Sequence, residues 1–230
     1  MTPYGGQQRC KQIIDKPGLT GCYVTKVVII ANSELPSLEL CVDLIEKSDF
    51  VIACDGGLSH CINNNFDIDF LVGDLDSVSK QELEVIEQQN VEIIKLEEQQ
   101  TNDLSKAIEY SKKFNVSRID IVGVDGGDYA HQMANYFALL EHEVDAYLHL
   151  KDYVVTTITK SKPFSSSIDS AMGFSLFSIG ESEGVNITGA KWELKDKKLS
   201  SSSLGLHNES SGNIVNIDCK SGNLIIFISR

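Results

Sequence analysis

The sequence predicts an α/β fold, a Rossmann-like and mostly parallel sheet with helices on both faces, followed by a small all-β sandwich domain. Three observations predict it. From Thr25 to about Leu150, short β-branched runs alternate with segments of helical period, as parallel strands and their crossover helices do. After about Tyr153 the helical period disappears, and short strand-like runs lie between clusters of Gly, Ser and Asn, the texture of antiparallel sandwiches and barrels. Within the first half, three apolar runs each end in an acidic, glycine-rich loop. In an open α/β sheet, those strand ends are where ligands bind.

The elements follow in order. Residues 26–31 are β-branched, and 36–48 show helical spacing with Leu38, Cys41, Leu44 and Ile45 on one side. A strand at 50–54, a short helix at 58–64 and a strand at 70–72 come next. Ser79-x-x-Glu82 matches a capping box and opens a helix through Gln89. A strand at 91–96, a helix at 101–114, a strand at 118–122 and a helix at 128–141 continue the alternation, and a strand at 145–150 closes it. Strand-like runs then fall at 153–159, 174–179, 185–188, 213–217 and 224–229, with a serine run at 200–203 that is a loop or edge segment. The organisation expected is an extension at 1–24, an α/β domain at 25–150 and a β-domain at 151–230.

Composition narrows the function. A chain of 230 residues can bury a real core. A net charge of −13 argues against general nucleic-acid binding, which needs a basic face. No apolar run approaches the roughly 20 residues of a membrane helix. None of the six cysteines (Cys10, Cys22, Cys41, Cys54, Cys61, Cys219) forms a C-x-x-C pair, so a zinc site is not expected. Several read as buried thiols. With no secretory hydrophobic stretch at the start, a cytoplasmic location is expected.

The chemistry concentrates at Gly73-Asp74-Leu75-Asp76-Ser77. Residues two apart on a strand share a face, so Asp74 and Asp76 can aim at one point. Converging carboxylates suit Mg²⁺ and the phosphate groups it binds. Asp103 falls in the first turn of a helix, with Lys106 on the same face; this offers a third metal carboxylate and a cation for phosphate. Asp55-Gly56-Gly57 gives a loop whose backbone a ligand can approach closely. Gly126 and Gly127 precede a helix that carries His131, and glycines before a helix N-terminus suit an anion. Neither a P-loop nor a G-x-G-x-x-G fingerprint is present. In the β-domain, the single tryptophan lies in Gly189-Ala190-Lys191-Trp192-Glu193-Leu194. Leu204-Gly205-Leu206-His207-Asn208-Glu209 brings polar groups able to orient a small substrate.

These segments, in this order from about Lys26 to Arg230, resemble the thiamine pyrophosphokinase family. The resemblance implies an α/β nucleotide-binding domain followed by a β-sandwich, and a homodimer with thiamine bound where the sandwich of one subunit meets the α/β domain of the other. It implies Mg²⁺-dependent transfer of pyrophosphate from ATP to the thiamine hydroxyl, with release of AMP. By family match Asp74, Asp76 and Asp103 would hold Mg²⁺. Asp55, Gly56, Gly57, Ser77, Lys106, Gly126, Gly127 and His131 would bind ATP, and Trp192, His207 and Asn208 would line the thiamine site. The chain departs from the family where Gly-Gly-Arg-x-Asp-His is usual: here Asp128 and Ala130 replace the arginine and the acidic residue. His207 replaces a serine. Two other readings remain open at this point: a thiamine or ATP sensor without catalysis, and a nucleotide-sugar transferase using Asp74 and Asp76 as its metal motif.

Overall fold

The computed structural model describes residues 24–96, 100–170, 172–212 and 214–230. Of the expected extension at 1–24, only Val24 falls among them; Cys10 and Cys22 lie outside. The chain divides into two compact units, the first ending at Tyr129 and the second covering Ala130–Arg230.

Among the described residues, the first unit is built on five strands: β1 (Thr25–Ile30), β2 (Phe50–Cys54), β3 (Phe70–Gly73), β4 (Glu92–Lys95) and β5 (Val116–Val122). Their order is β4-β3-β2-β1-β5, and every neighbouring pair is parallel. The crossovers are α1 (Leu38–Glu46), α2 (Gly57–Asn64), α3 (Lys80–Glu87) and α4 (Asp103–Ser111), the last extended by a 3-10 turn at Lys112–Phe114. Strand period decides which residues meet which helices. Val28, Ile30, Val51, Ala53 and Leu71 pack with Cys41 and Ile45 of α1, Leu58 and Cys61 of α2, and Ile86 of α3. The alternate residues face α4: Phe70 meets Tyr110 edge-on at 5.5 Å, and Phe114 lies 4.7 Å from Phe50 and 5.1 Å from Phe70. Helices therefore cover both faces, as the sequence predicts.

Three helix starts are set locally. Ser37 and Asn102 cap α1 and α4 through their side chains. Ser79 forms the predicted capping box: its hydroxyl accepts from Glu82 N at 3.2 Å, and Glu82 Oε2 accepts from Ser79 N at 2.8 Å.

Among the described residues, the second unit carries α5 (Tyr129–Glu141, which begins on the residue before the division) and eight antiparallel strands. These are β6 (Ala146–His149), β7 (Tyr153–Ile158), β8 (Phe164–Ser167), β9 (Gly173–Thr188), β10 (Leu194–Leu199), β11 (Asn208–Glu209), β12 (Ile214–Asp218) and β13 (Ser221–Ser229). Two predicted runs, at 174–179 and 185–188, are one strand. β9 pairs with β13 and β11 along its first part and with β10 and β12 along its last. Between those parts Gly180 (φ 76°) and Gly184 (φ 65°) turn the strand from one sheet into the other. Ile158, Phe174, Leu176, Leu224 and Ile226 on one layer enclose a core with Phe164, Val185, Ile187, Val215 and Ile217 on the other. That is a sandwich. Cys41, Cys54, Cys61 and Cys219 are buried free thiols. Among the described residues no helix is long and apolar enough to cross a membrane.

Candidate active site

All the acidic loops of the first unit leave the carboxyl ends of its parallel strands. Asp55 directly follows β2 and is 1% exposed. One of its oxygens accepts from Leu75 N at 2.6 Å, while the other is buried with no partner among the described residues. Gly73 makes this possible, because a Cβ there would overlap the Asp55 carboxylate. The next residues turn tightly. Leu75 takes a left-handed φ of 69°, Asp74 Oδ1 accepts from Asp76 N at 3.2 Å, and Ser77 Oγ donates to Asp76 Oδ1 at 2.9 Å. The outcome is a group of three carboxylates, Asp55, Asp74 and Asp76, with ligand oxygens within 4.8 Å of one another.

Their electrostatics differ. Burial pushes the Asp55 carboxyl up, to about 7, and Asp103 and Asp74 add to the rise against the Leu75 N–H. Asp74 is lowered, chiefly by the Asp76 backbone N–H and also by Asp55 and Lys106. An orphaned buried oxygen between like charges has the character of a cation site, since a bound divalent ion reverses that local repulsion. Oxygen donors alone are the set Mg²⁺ takes.

Lys106 is buried, at 6% exposure, in the first turns of α4. Its Nζ lies 3.0 Å from Asp103 Oδ1 and 3.9 Å from Asp74 Oδ2. The structure thus joins Asp103 to the carboxylate group through a lysine, while Asp55 takes the third place within the group itself. Sequence reasoning placed Asp55 only in the nucleotide loop, because convergence of the β2 and β3 ends is a tertiary fact.

The glycine loops are crowded for a reason. A Cβ at Gly57 would overlap the Ile30 carbonyl, and one at Gly56 would overlap the Asn32 amide. Gly126 and Gly127 both hold φ of 69°. The loop after β1 is tied to the residues just before them: Ser33 N donates to Gly123 O at 2.7 Å and Glu34 N to Asp125 O at 2.9 Å. His60 Nε2 lies 2.9 Å from Ser33 O and 3.3 Å from Asn32 O. Sequence reasoning passed over Asn32, Ser33 and Glu34, which look like any polar loop before a proline. His131 lies exposed in the first turn of α5.

In the second unit, Trp192, His207 and Asn208 come together. Trp192 is 53% exposed, and Lys191 Nζ sits 4.5 Å from its ring centre. The Asn208 side chain is buried and clamps the Trp192 backbone, donating to its carbonyl at 2.8 Å and accepting from its N–H at 3.2 Å. Asn208 Oδ1 also accepts from Glu209 N at 2.9 Å. His207 takes a left-handed φ of 61° and donates its backbone N–H to Ser175 Oγ at 3.2 Å. Asn208 therefore holds the tryptophan loop, and the Trp192 ring and His207 present the exposed surface.

Two family models match this sequence. Residues 41–149 match the thiamin pyrophosphokinase catalytic domain, and residues 165–224 match the thiamin pyrophosphokinase vitamin B1 binding domain. The chain belongs to the thiamin pyrophosphokinase family. It is an enzyme of that family, whose substrates are ATP and thiamine. The catalytic-domain match spans every candidate residue from Asp55 to His131, and the vitamin B1 binding match spans Trp192, His207 and Asn208. Solved structures agree in fold. Thiamine pyrophosphokinase from Bacillus subtilis is 21% identical with a TM-score of 0.76, covering 89% of this chain and 98% of that one. Thiamin pyrophosphokinase from Candida albicans is 17% identical with a TM-score of 0.72, covering 90% of this chain and 89% of its own. The yeast enzyme is 17% identical with a TM-score of 0.73, covering 90% and 86%. No significant match is found among curated protein sequences.

Proposed function

We propose that this chain transfers pyrophosphate from Mg²⁺-bound ATP to the hydroxyl of thiamine, giving thiamine diphosphate and AMP. The observation that carries the proposal is the carboxylate group Asp55, Asp74 and Asp76 at the ends of β2 and β3, inside the segment matched to the catalytic domain. Asp74 and Asp76 would hold Mg²⁺, with Asp55 beside them and Asp103 reaching the site through Lys106. Bound there, Mg²⁺ would neutralise phosphate oxygens and fix their place.

The protein's own residues do the rest by alignment. Gly56 and Gly57 let the triphosphate lie against backbone N–H groups where α2 begins. Lys106 cannot swing freely, since Asp103 holds it, so its charge is fixed beside Asp74. Ser77, Gly126, Gly127 and His131 complete the proposed ATP-binding set. Trp192 offers an aromatic face to the cationic thiazolium, His207 borders it, and Asn208 keeps the loop in place. The family resemblance favours a cytoplasmic homodimer with thiamine at the subunit interface, an α/β domain at 25–150 and a thiamine domain at 151–230.

Product analysis after incubation with ATP, Mg²⁺ and thiamine tests the reading. Thiamine diphosphate and AMP should appear together, and neither without thiamine or Mg²⁺. Asp74→Ala should lower turnover on the order of 100-fold or more. Normal turnover in that variant would remove Asp74 from the metal site. Ligand binding without product would replace catalysis by a sensor role, a reading that the Asp128 and Ala130 departures keep specific.

A further inference from the structure

The order β4-β3-β2-β1-β5 contains one reversal. The first three crossovers carry the chain outward from β1 to β4, and the fourth returns it to the other side of β1. The switch point is therefore the boundary between β1 and β5, the position where ligands of open α/β sheets bind beyond the strand ends. The carboxylate group lies elsewhere, at the boundary between β2 and β3. With strands about 4.8 Å apart, the two boundaries are about 10 Å from each other, a gap that an extended triphosphate bridges.

The switch point is furnished with polar side chains. Three consecutive residues of the loop after β1 lie on glycines of the neighbouring loops. The Asn32 amide lies over Gly56, where a Cβ would overlap it. The Ser33 hydroxyl would be 3.6 Å from a Cβ on Gly127, and Glu34 Oε1 3.1 Å from one on Gly126. Among the described residues, none of these three side chains has a hydrogen-bond or ionic partner. Their backbone, by contrast, is tied down by Gly123, Asp125 and His60. The loop thus holds these polar groups in fixed positions over the glycines, open to solvent and to a ligand at the switch point.

Charge decides which part of the ligand that is. A carboxylate beside a triphosphate is repelled, but it is acceptor-only and suits the paired hydroxyl donors of an uncharged sugar. We infer that Asn32, Ser33 and Glu34 form the nucleoside-recognition edge of the ATP site, with the Glu34 carboxylate accepting from a ribose hydroxyl. Asn32 offers its amide to the sugar–phosphate junction, on the path from Glu34 across Gly56 to Asp55. The inference deepens the ATP reading above and rests on it.

The test compares kcat/KM for ATP, 2′-deoxy-ATP and 3′-deoxy-ATP at saturating Mg²⁺ and thiamine, in the unaltered protein and in Glu34→Ala. The unaltered protein should prefer ATP about tenfold over at least one analogue, the size of one charge-assisted hydrogen bond. Glu34→Ala should lose that preference by a rise in KM for ATP, with the disfavoured analogue unchanged. Its thermal shift with Mg²⁺ alone should match the unaltered protein, which shows that it is folded with an intact carboxylate group. Glu34→Gln, which keeps size and one acceptor oxygen, should fall between the two and serves in place of Glu34→Ala if that variant does not fold. Equal use of all three nucleotides by the unaltered protein, or an undiminished preference in the variant, would overturn the ribose assignment while leaving the pyrophosphokinase reading in place. Absence of AMP and thiamine diphosphate from the unaltered protein with every nucleotide would overturn that reading, and the assignment with it.

Discussion

Gly73 and Asp55 show how much of the site depends on single atoms. The Asp55 carboxylate occupies the space that a Cβ at position 73 would need. Gly73→Ala must therefore push the buried carboxylate aside or shift β3, and overpacking of this kind costs about 1–3 kcal/mol. The expected result is a lower melting temperature together with a weakened thermal shift on adding Mg²⁺; an unchanged Mg²⁺ response would separate Asp55 from the metal. Glu82 offers a pH test. Ser59 Oγ donates to it at 2.5 Å, Ser79 donates through its hydroxyl at 2.7 Å and its N–H at 2.8 Å, and these bonds lower its carboxyl, the one from Ser59 most. An acid whose pKa falls on folding adds stability above its ordinary value of 4.5, and loses it as pH drops through the depressed value. Glu82→Gln should thus cost about 1 kcal/mol at pH 7, with the difference from the unaltered protein shrinking below pH 4.5 in thermal melts. At this scale the sequence showed Asp74 and Asp76 as a pair by strand period, but β3 ends at Gly73 and a tight turn through Leu75 is what brings them together. It did not show the place of Asp55 in the same group, since that depends on how two strands register.

Among the elements, the parallel half was readable to within a few residues because buried strands and amphipathic helices differ sharply in period. The β-half was harder, and the reasons are specific. β10 reads Leu-Lys-Asp-Lys-Lys-Leu and is largely exposed, β8 is three serines after a phenylalanine, and β11 is two residues long. None carries an apolar alternation to announce it. The glycines near 180–184 looked like a break and instead bend a continuing strand. Asn208 illustrates a role visible only in three dimensions: its amide spends its hydrogen bonds on the Trp192 and Glu209 backbone. Asn208→Ala should loosen the tryptophan loop. Because Trp192 is the single tryptophan of the chain, its fluorescence anisotropy reports this directly and should fall, while KM for thiamine rises several-fold and KM for ATP stays the same. A rise in both constants would mean that Asn208 acts on more than this loop.

Across the whole molecule, the net charge of −13 sets opposing fields for the two substrates. ATP is an anion and thiamine a cation, so long-range attraction favours one and resists the other. At low ionic strength, added salt should raise kcat/KM for ATP and lower it for thiamine, as screening shortens the reach of both effects. Movement of both constants in the same direction would place the controlling charges at the site rather than over the surface. Fold class could be reached from pattern, and the family from the resemblance of several motifs in order, because each is distributed over many residues. The partition of roles among carboxylates could not, because it resides in a few distances.

The bend in β9 has a consequence for how the second unit comes apart. One continuous strand supplies a partner to both layers, so neither layer can detach while the other keeps its full set of pairings. Fraying is confined to edges such as β8 and β10, and opening of the interior is a single event. Amide hydrogens in the two halves of β9 should then exchange with solvent on one common timescale, as members of one cooperative unit rather than two.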